Sequence, residues 1–425
     1  MNRRELLAAA SVSITGVTGC LNRDTGSEPT GDAVHWTTQI EGSIRHQPVI
    51  QDGTVYVSGG TNDRATPNSD TAFPETSENV YAFRATDGTE QWRYEAPAGV
   101  RTPPTVEDGV FVVVGWSDGV GRSQRLVRID DGSETWTTEP RDQQLGLLAV
   151  SDGTAYLGTS DDALDVEDET LYAVQTSNGD QRWAIEAGDA SDTDDAAVYD
   201  DTLYVVEGRS RTTARAVADG SEQRYWDMPP ATDSPRVFDD ELYLISSRSN
   251  RSDYQVVSVS ASEGTVHWQF SAPVNDPFDP TGVAVSDDTV CVTEYGGWLF
   301  GVDRADGVER WRYSVEDGRP TSEAIVDGTT YVTTVNGSVH AVDVATGDRQ
   351  WRESLPGSAG IVAADSQGLI IGSIDDEERN IRAYTLKGTE QWSFSHTGRL
   401  TQSGVDGTRT IIGTETGNVA ALGEW

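Results

Sequence analysis

The residues able to do chemistry are scattered, and one class is in large excess. Carboxylates crowd at Asp161, Asp162, Asp165, Glu167, Asp168 and Glu169, and again at Asp189, Asp192, Asp194 and Asp195. Hard oxygen donors at that density suit Ca²⁺. Neither cluster has the spacing of an EF-hand loop or its central glycine, and in a chain with 70 acidic residues a solvated charge run competes with a calcium site. The two cysteines, Cys20 and Cys291, lie in contexts that do not favour a mutual disulfide. Cys291 alternates like a strand residue in Val290-Cys291-Val292 and reads as a small buried hydrophobe. The five histidines (His35, His46, His267, His340 and His396) show no zinc spacing. A phosphate-cradling Gly-rich loop and a Gly-x-Ser-x-Gly elbow are both missing from the sequence. No catalytic, cofactor-binding or metal-binding residue is therefore assigned. Asn250 and Asn336 head Asn-x-Ser sequons and could be glycosylated. Trp116 and Trp298 sit near turns, where they pack locally or serve as binding anchors.

The elements that would position these residues come from a repeat. Val339 to Trp351 reads as an apolar pair, Ala-x-Asp, a Thr-Gly turn and a tryptophan. Related copies end at Trp92, Trp136, Trp183, Trp226, Trp268, Trp311 and Trp392, and a shortened one at Trp425. About twenty residues before each lies apolar-x-Asp-Gly-x-apolar-Tyr-apolar, as in Val326 to Val332. The copy at Ala364 to Ile371 is weak. Short β-branched runs joined by Asp-Gly or Thr-Gly predict four-stranded antiparallel meanders. One meander cannot bury both faces, so the copies must stack into a closed β-propeller, with the tryptophans as wedges between blades. The expected fold is all-β, with one propeller domain over residues 34–425. Val34-His35-Trp36 looks like an outer strand lacking its blade, and the last copy lacks an outer strand. The N-terminal strand is therefore expected to close the ring.

This repeat resembles the pyrroloquinoline-quinone (PQQ)-like propeller repeat, whose family includes quinoprotein alcohol dehydrogenases and the non-enzymatic outer-membrane assembly lipoprotein BamB. The resemblance runs from Trp36 to Trp425. Family members usually have eight blades, whereas the Asp-Gly segments count nine modules, and both numbers stay open here. Catalytic members typically use adjacent cysteines joined as a disulfide, an aromatic platform and calcium ligands. This chain has no adjacent cysteines, so the resemblance does not bring the quinone with it and no cofactor is expected.

Composition bounds the partners. Seventy acidic against 31 basic residues give a formal charge of -39, and Lys387 is the single lysine. An acidic, Arg-retaining surface of this kind resembles proteins of salt-loving organisms, haloarchaea among them, and it excludes nucleic acid for want of a basic stripe. Residues 1–20 read as a signal segment: Arg3-Arg4 as in twin-arginine signals, a small apolar run, then Val17-Thr18-Gly19-Cys20, which is similar to a lipobox. An ordinary signal with an incidental cysteine is the alternative. Lipid on Cys20 and a tether over 21–33 would hold the protein at the outer face of the membrane.

Irregular loops (Thr61 to Glu78, Ser117 to Gln124, Ser160 to Glu169, Ser246 to Asp253) and long crossovers (Glu186 to Ala196, Ser271 to Gly282) all fall on one propeller face. That face is expected to bind a protein partner. The expected protein is thus an anchored, monomeric interaction scaffold. A quinoprotein-like oxidoreductase and a glycan- or polymer-binding surface protein are the alternatives.

Overall fold

The computed structural model describes residues 33–61, 77–117, 122–160, 170–186, 196–207, 211–226, 236–247, 254–272, 278–316, 318–375, 378–397, 400–406 and 409–423. Every regular element among them is a strand, arranged in nine antiparallel sheets that form a nine-bladed propeller. Blades are numbered here in chain order by their inner strands. Blade 1 begins with Ser43–Ile44 and Val49–Gln51, and blade 2 with Gly99–Val100 and Thr105–Val106. Blades 3 to 6 begin with Gln144–Ser151, Ala196–Tyr199, Arg236–Phe238 and Pro280–Val285. Blades 7 to 9 begin with Pro320–Val326, Ser358–Asp365 and Leu400–Asp406.

The strand chemistry follows from position in the sheet. The two middle strands of a blade are covered on both faces by neighbouring blades, so Thr329–Thr334 and Asn418–Leu422 are buried along their whole length. Outer strands are covered on one side only, and Glu309–Ser314 alternates between half-buried and exposed. In the inner hairpins of blades 1, 3 and 7, Asp-Gly supplies two residues at positive φ, as at Asp152 (48°) with Gly153 (71°) and Asp327 (46°) with Gly328 (73°). In the weak copy, blade 8 dispenses with that turn. There the Asp365 carboxylate accepts hydrogen bonds from the Gln367 and Gly368 amides, and the inner strands still pair fully.

Nine blades resolve the count in favour of the repeat arithmetic. The ring closes as the complementary ends require: Val34–Gln39 pairs antiparallel with Asn418–Leu422, with Trp36 opposite Ala421 and Thr38 opposite Val419. Nine apolar clusters bind the blades, one at each junction. At the closure Trp36, Ile44, Val57 and Phe83 pack with Ile411, Val419 and Ala421. Blades 1 and 2 depart from the pattern, because Pro48 and the Pro103-Pro104 pair interrupt their inner strands.

Candidate binding face

The two ends of the propeller are built differently. One carries the inner and outer hairpin turns. The other carries the turns between the middle strands and the crossovers from blade to blade. In blades 6, 7 and 9 these middle turns are tight and pinned. Gly297, Gly337 and Gly417 have φ of 90°, 84° and 84°, and each donates its N–H to the carbonyl three residues back. Their own carbonyls accept from Val315, Leu355 and Ile40 on the outgoing crossovers. A Cβ on Gly337 would stand 2.0 Å from the Leu355 oxygen, so only glycine permits the approach. The long loops expected on blades 1, 2, 3 and 5 lie mostly outside the described residues. Cys20, Asn250, Trp425 and both acidic clusters lie there entirely, as does the side chain of Trp116. Asn336 sits exposed in the pinned turn of blade 7.

The tryptophans lie at the blade junctions. The indole N–H of Trp36, Trp136, Trp183, Trp268, Trp311 and Trp351 donates to a turn carbonyl of the next blade, at Ala85, Thr176, Val217, Arg304, Val344 and Leu386, over 2.8 to 3.0 Å. The ring lies against the glycine of that same turn. At Gly347, for instance, an added Cβ would come 2.7 Å from Trp311. Trp92 and Trp392 are half-buried and join the clusters at their own junctions. Blade 4 differs. The residue four after its turn glycine is Arg224, whose guanidinium donates to the Ala261 carbonyl at 2.9 Å. Trp226 stands two residues further on, buried, and donates to Gly264 at 3.0 Å. The constant spacing of four residues from glycine to tryptophan would have marked Arg224 in the sequence.

Cys291 occupies the place where five other blades carry tyrosine, beside the lock tryptophan. It is fully buried, and burial pushes its thiol up to about 12. Gly301 faces Trp311 in the same blade, so two small residues make room for the indole. A reactive thiol needs the opposite environment.

Two places on this face gather charged and aromatic side chains. On blades 6 and 7, Tyr295 is 53% exposed in the pinned turn, with the Arg319 guanidinium 4.8 Å from its ring centre. Burial raises the carboxyls of Asp279 and Glu294 beneath it, and Glu294 accepts the Gly296 amide at 2.8 Å. Trp298 is half-buried against Phe300 with ring centres 6.4 Å apart, which is local packing. Sequence reasoning missed Tyr295. The signal was an aromatic at a turn position that holds Val335 and Glu415 in blades 7 and 9.

On blades 1 and 2, Glu78 is the second residue of the strand Ser77–Arg84. It is 3% exposed, stands 3.4 Å from Arg45 and accepts the Val100 amide at 2.6 Å. His46 Nδ1 lies 2.9 Å from the Ser58 hydroxyl. Burial, and then the nearby charge of Arg45, lower its pKa to about 4. Among the described residues no group of histidine, cysteine and carboxylate side chains could hold a metal ion.

A closed ring of four-stranded blades, with a tryptophan at each junction, defines a propeller of the PQQ-like repeat class. The chain belongs to the outer membrane protein assembly factor BamB family, whose profile matches residues 28–270 and 225–393. BamB of Moraxella catarrhalis superposes with a TM-score of 0.52 at 15% identity, covering 75% of this chain and 95% of that one. The C-terminal WD40 domain of Sif2 gives 0.56 at 9% identity, covering 92% and 99%. The serine/threonine-protein kinase AfsK of Streptomyces griseus is 26% identical over 152 residues, which is 33% of this chain and 18% of the kinase. The chain thus spans less than a fifth of that relative.

Proposed function

We propose that the protein is an exported, membrane-anchored scaffold that docks a protein partner on the irregular face of its propeller. The observation that carries this reading is the pairing of an exposed Tyr295 with Arg319 on a turn held rigid by its glycine and crossover bonds. Tyrosine and arginine are the side chains that most often anchor interfaces, and an anchor on a rigid turn loses little entropy on binding. Membership in the BamB family supports the same class of role and an extracytoplasmic site. In this reading Cys20 carries the lipid, residues 21–33 are the tether, and the propeller works as a monomer without a cofactor.

The test is capture of the tagged full chain from native membranes in molar salt. It is run beside Tyr295→Ala and beside a chain whose residues 62–76 are replaced by a short Gly-Ser linker. A partner held by the wild type and lost from either variant supports the reading. A partner held equally by all three, or no partner for a folded and anchored protein, overturns it. Cys20→Ala tests the anchor, and that variant should leave the membrane fraction.

A further inference from the structure

The middle turn of blade 6 and the crossover into blade 7 each depart from the repeat at one residue, and the two departures meet. Tyr295 and Val335 hold the same turn position, and their amides donate to equivalent crossover carbonyls, Asp279 and Arg319, at 2.9 and 3.0 Å. Both acceptors precede the proline that opens an inner strand. Valine thus serves in the turn and aspartate on the crossover, so the fold requires neither Tyr295 nor Arg319. Together they make a plate: the guanidinium lies 4.8 Å from the ring centre, and the tyrosine is still 53% exposed. Arg304, Arg310 and Arg312 of blade 6 are each ion-paired. Arg319 is exposed, and among the described residues its guanidinium makes no hydrogen bond and no ion pair. The Tyr295 hydroxyl makes no hydrogen bond among them either. This is so in a chain where 70 acidic residues outnumber 31 basic ones. The acids nearby are otherwise placed. Glu316 is exposed on the same crossover without pairing to Arg319. Asp279 feels the arginine's charge without reaching ion-pair distance. Glu294 is 4% exposed and accepts the Gly296 amide.

We propose that the Tyr295–Arg319 plate takes a carboxylate side chain from an acidic segment of the docked polypeptide. This rests on the docking reading above and names the chemistry of its partner. What the plate presents is donors, the full set of guanidinium N–H groups and the phenolic O–H. The ring backs the guanidinium plane, and a planar fork with its edge free recognises a carboxylate through two parallel hydrogen bonds. A cationic side chain would meet Arg319 as a like charge, while the buried Glu294 carboxylate is already bonded to the turn. An apolar partner would cover the donors and leave them unpaired, which is costly. The formal charge of -39 disfavours an acidic segment at long range. Molar salt shortens the Debye length to about 3 Å, which screens that field and leaves a direct contact between fork and carboxylate. The plate therefore selects at contact and not by long-range attraction.

Titration calorimetry of the full chain in molar potassium chloride, with pentaglutamate and separately with pentalysine, tests the site without a captured partner. Pentaglutamate is expected to bind the wild type, with Arg319→Gln and Tyr295→Val each weakening it about fivefold or more. Tyr295→Val installs the residue that blade 7 already carries at this turn position, so the turn itself is kept. No binding of pentaglutamate to the wild type, or wild-type affinity in either variant, overturns the proposal. Pentalysine binding that Tyr295→Val abolishes also overturns it, because the plate would then be a site for cations. If these titrations fail while capture from membranes still depends on Tyr295, the docking reading stands and the carboxylate falls.

Discussion

Trp268 illustrates what one side chain does in this ring. It is 6% exposed, lies against the glycine of the following turn and donates its N–H to Arg304 of the next blade at 2.8 Å. Trp268→Ala should cost roughly 3–5 kcal/mol, the range for truncating a buried aromatic. Trp268→Phe keeps most of the apolar contact and should cost about 1–3 kcal/mol, mainly from the carbonyl left without its donor. Denaturant midpoints of the two variants check both values. His46 gives a prediction in pH. Its folded pKa of about 4 lies below the model value of 6.5, so the unfolded chain binds the extra proton first. The neutral histidine's full contribution is therefore present above pH 6.5 and is lost as pH falls from 6.5 towards 4. The wild type should lose on the order of 2–3 kcal/mol more over that window than His46→Gln, read from unfolding midpoints at each pH. The lock tryptophans were legible because their spacing from the turn glycine is constant. The carbonyls they reach were not, since they belong to the neighbouring blade some 33 to 49 residues away. Arg101 and Glu78 were illegible for the same reason. A lone arginine and a lone glutamate carry no signal until two blades bring them over one glycine.

At the scale of elements, the strand Val34–Gln39 does the most with the fewest residues. It completes blade 9, supplies Trp36 to the lock on blade 1 and covers the edge of Asn418–Leu422. A chain beginning after residue 39 should expose that edge. It should unfold at markedly lower denaturant and associate through the open strand, and light scattering at increasing protein concentration would show the association. This closure could be read from the sequence because each end carries the part of a blade that the other lacks. Nine repeats were countable because each inner hairpin but one needs an Asp-Gly or Asp-Asp type of turn. The exception, blade 8, looked weak because Asp365 builds its turn through a side chain, which a backbone-turn signature does not capture. The broken inner strands of blades 1 and 2 coincide with Pro48, Pro103 and Pro104, a signal the sequence reading did not use.

Across the whole molecule, charge is the largest single departure from an ordinary propeller. Ion pairs such as Arg310 with Asp303 and Arg312 with Glu309 neutralise some carboxylates locally, but a formal charge of -39 remains. Raising salt from about 0.1 M to 1 M shortens the Debye length from about 10 Å to about 3 Å, which removes most repulsion between carboxylates on different blades. The unfolding midpoint should therefore rise continuously with potassium chloride over that range. A flat response would mean that the acidic surface is not a net destabiliser in dilute salt. The locks also have a direction: from Trp36 onward, each donor sits on one blade and its acceptor on the next, never the reverse. Such an interface is the head-to-tail contact of a cyclic oligomer, strung on one chain. Each step turns the path by a ninth of a circle, so the number of blades is the sum of small wedge angles and no single junction dictates it. Ring size is then an evolvable quantity: duplicating a blade, together with slight changes in the bulk of the wedges, moves the family from one count to another without inventing a new contact.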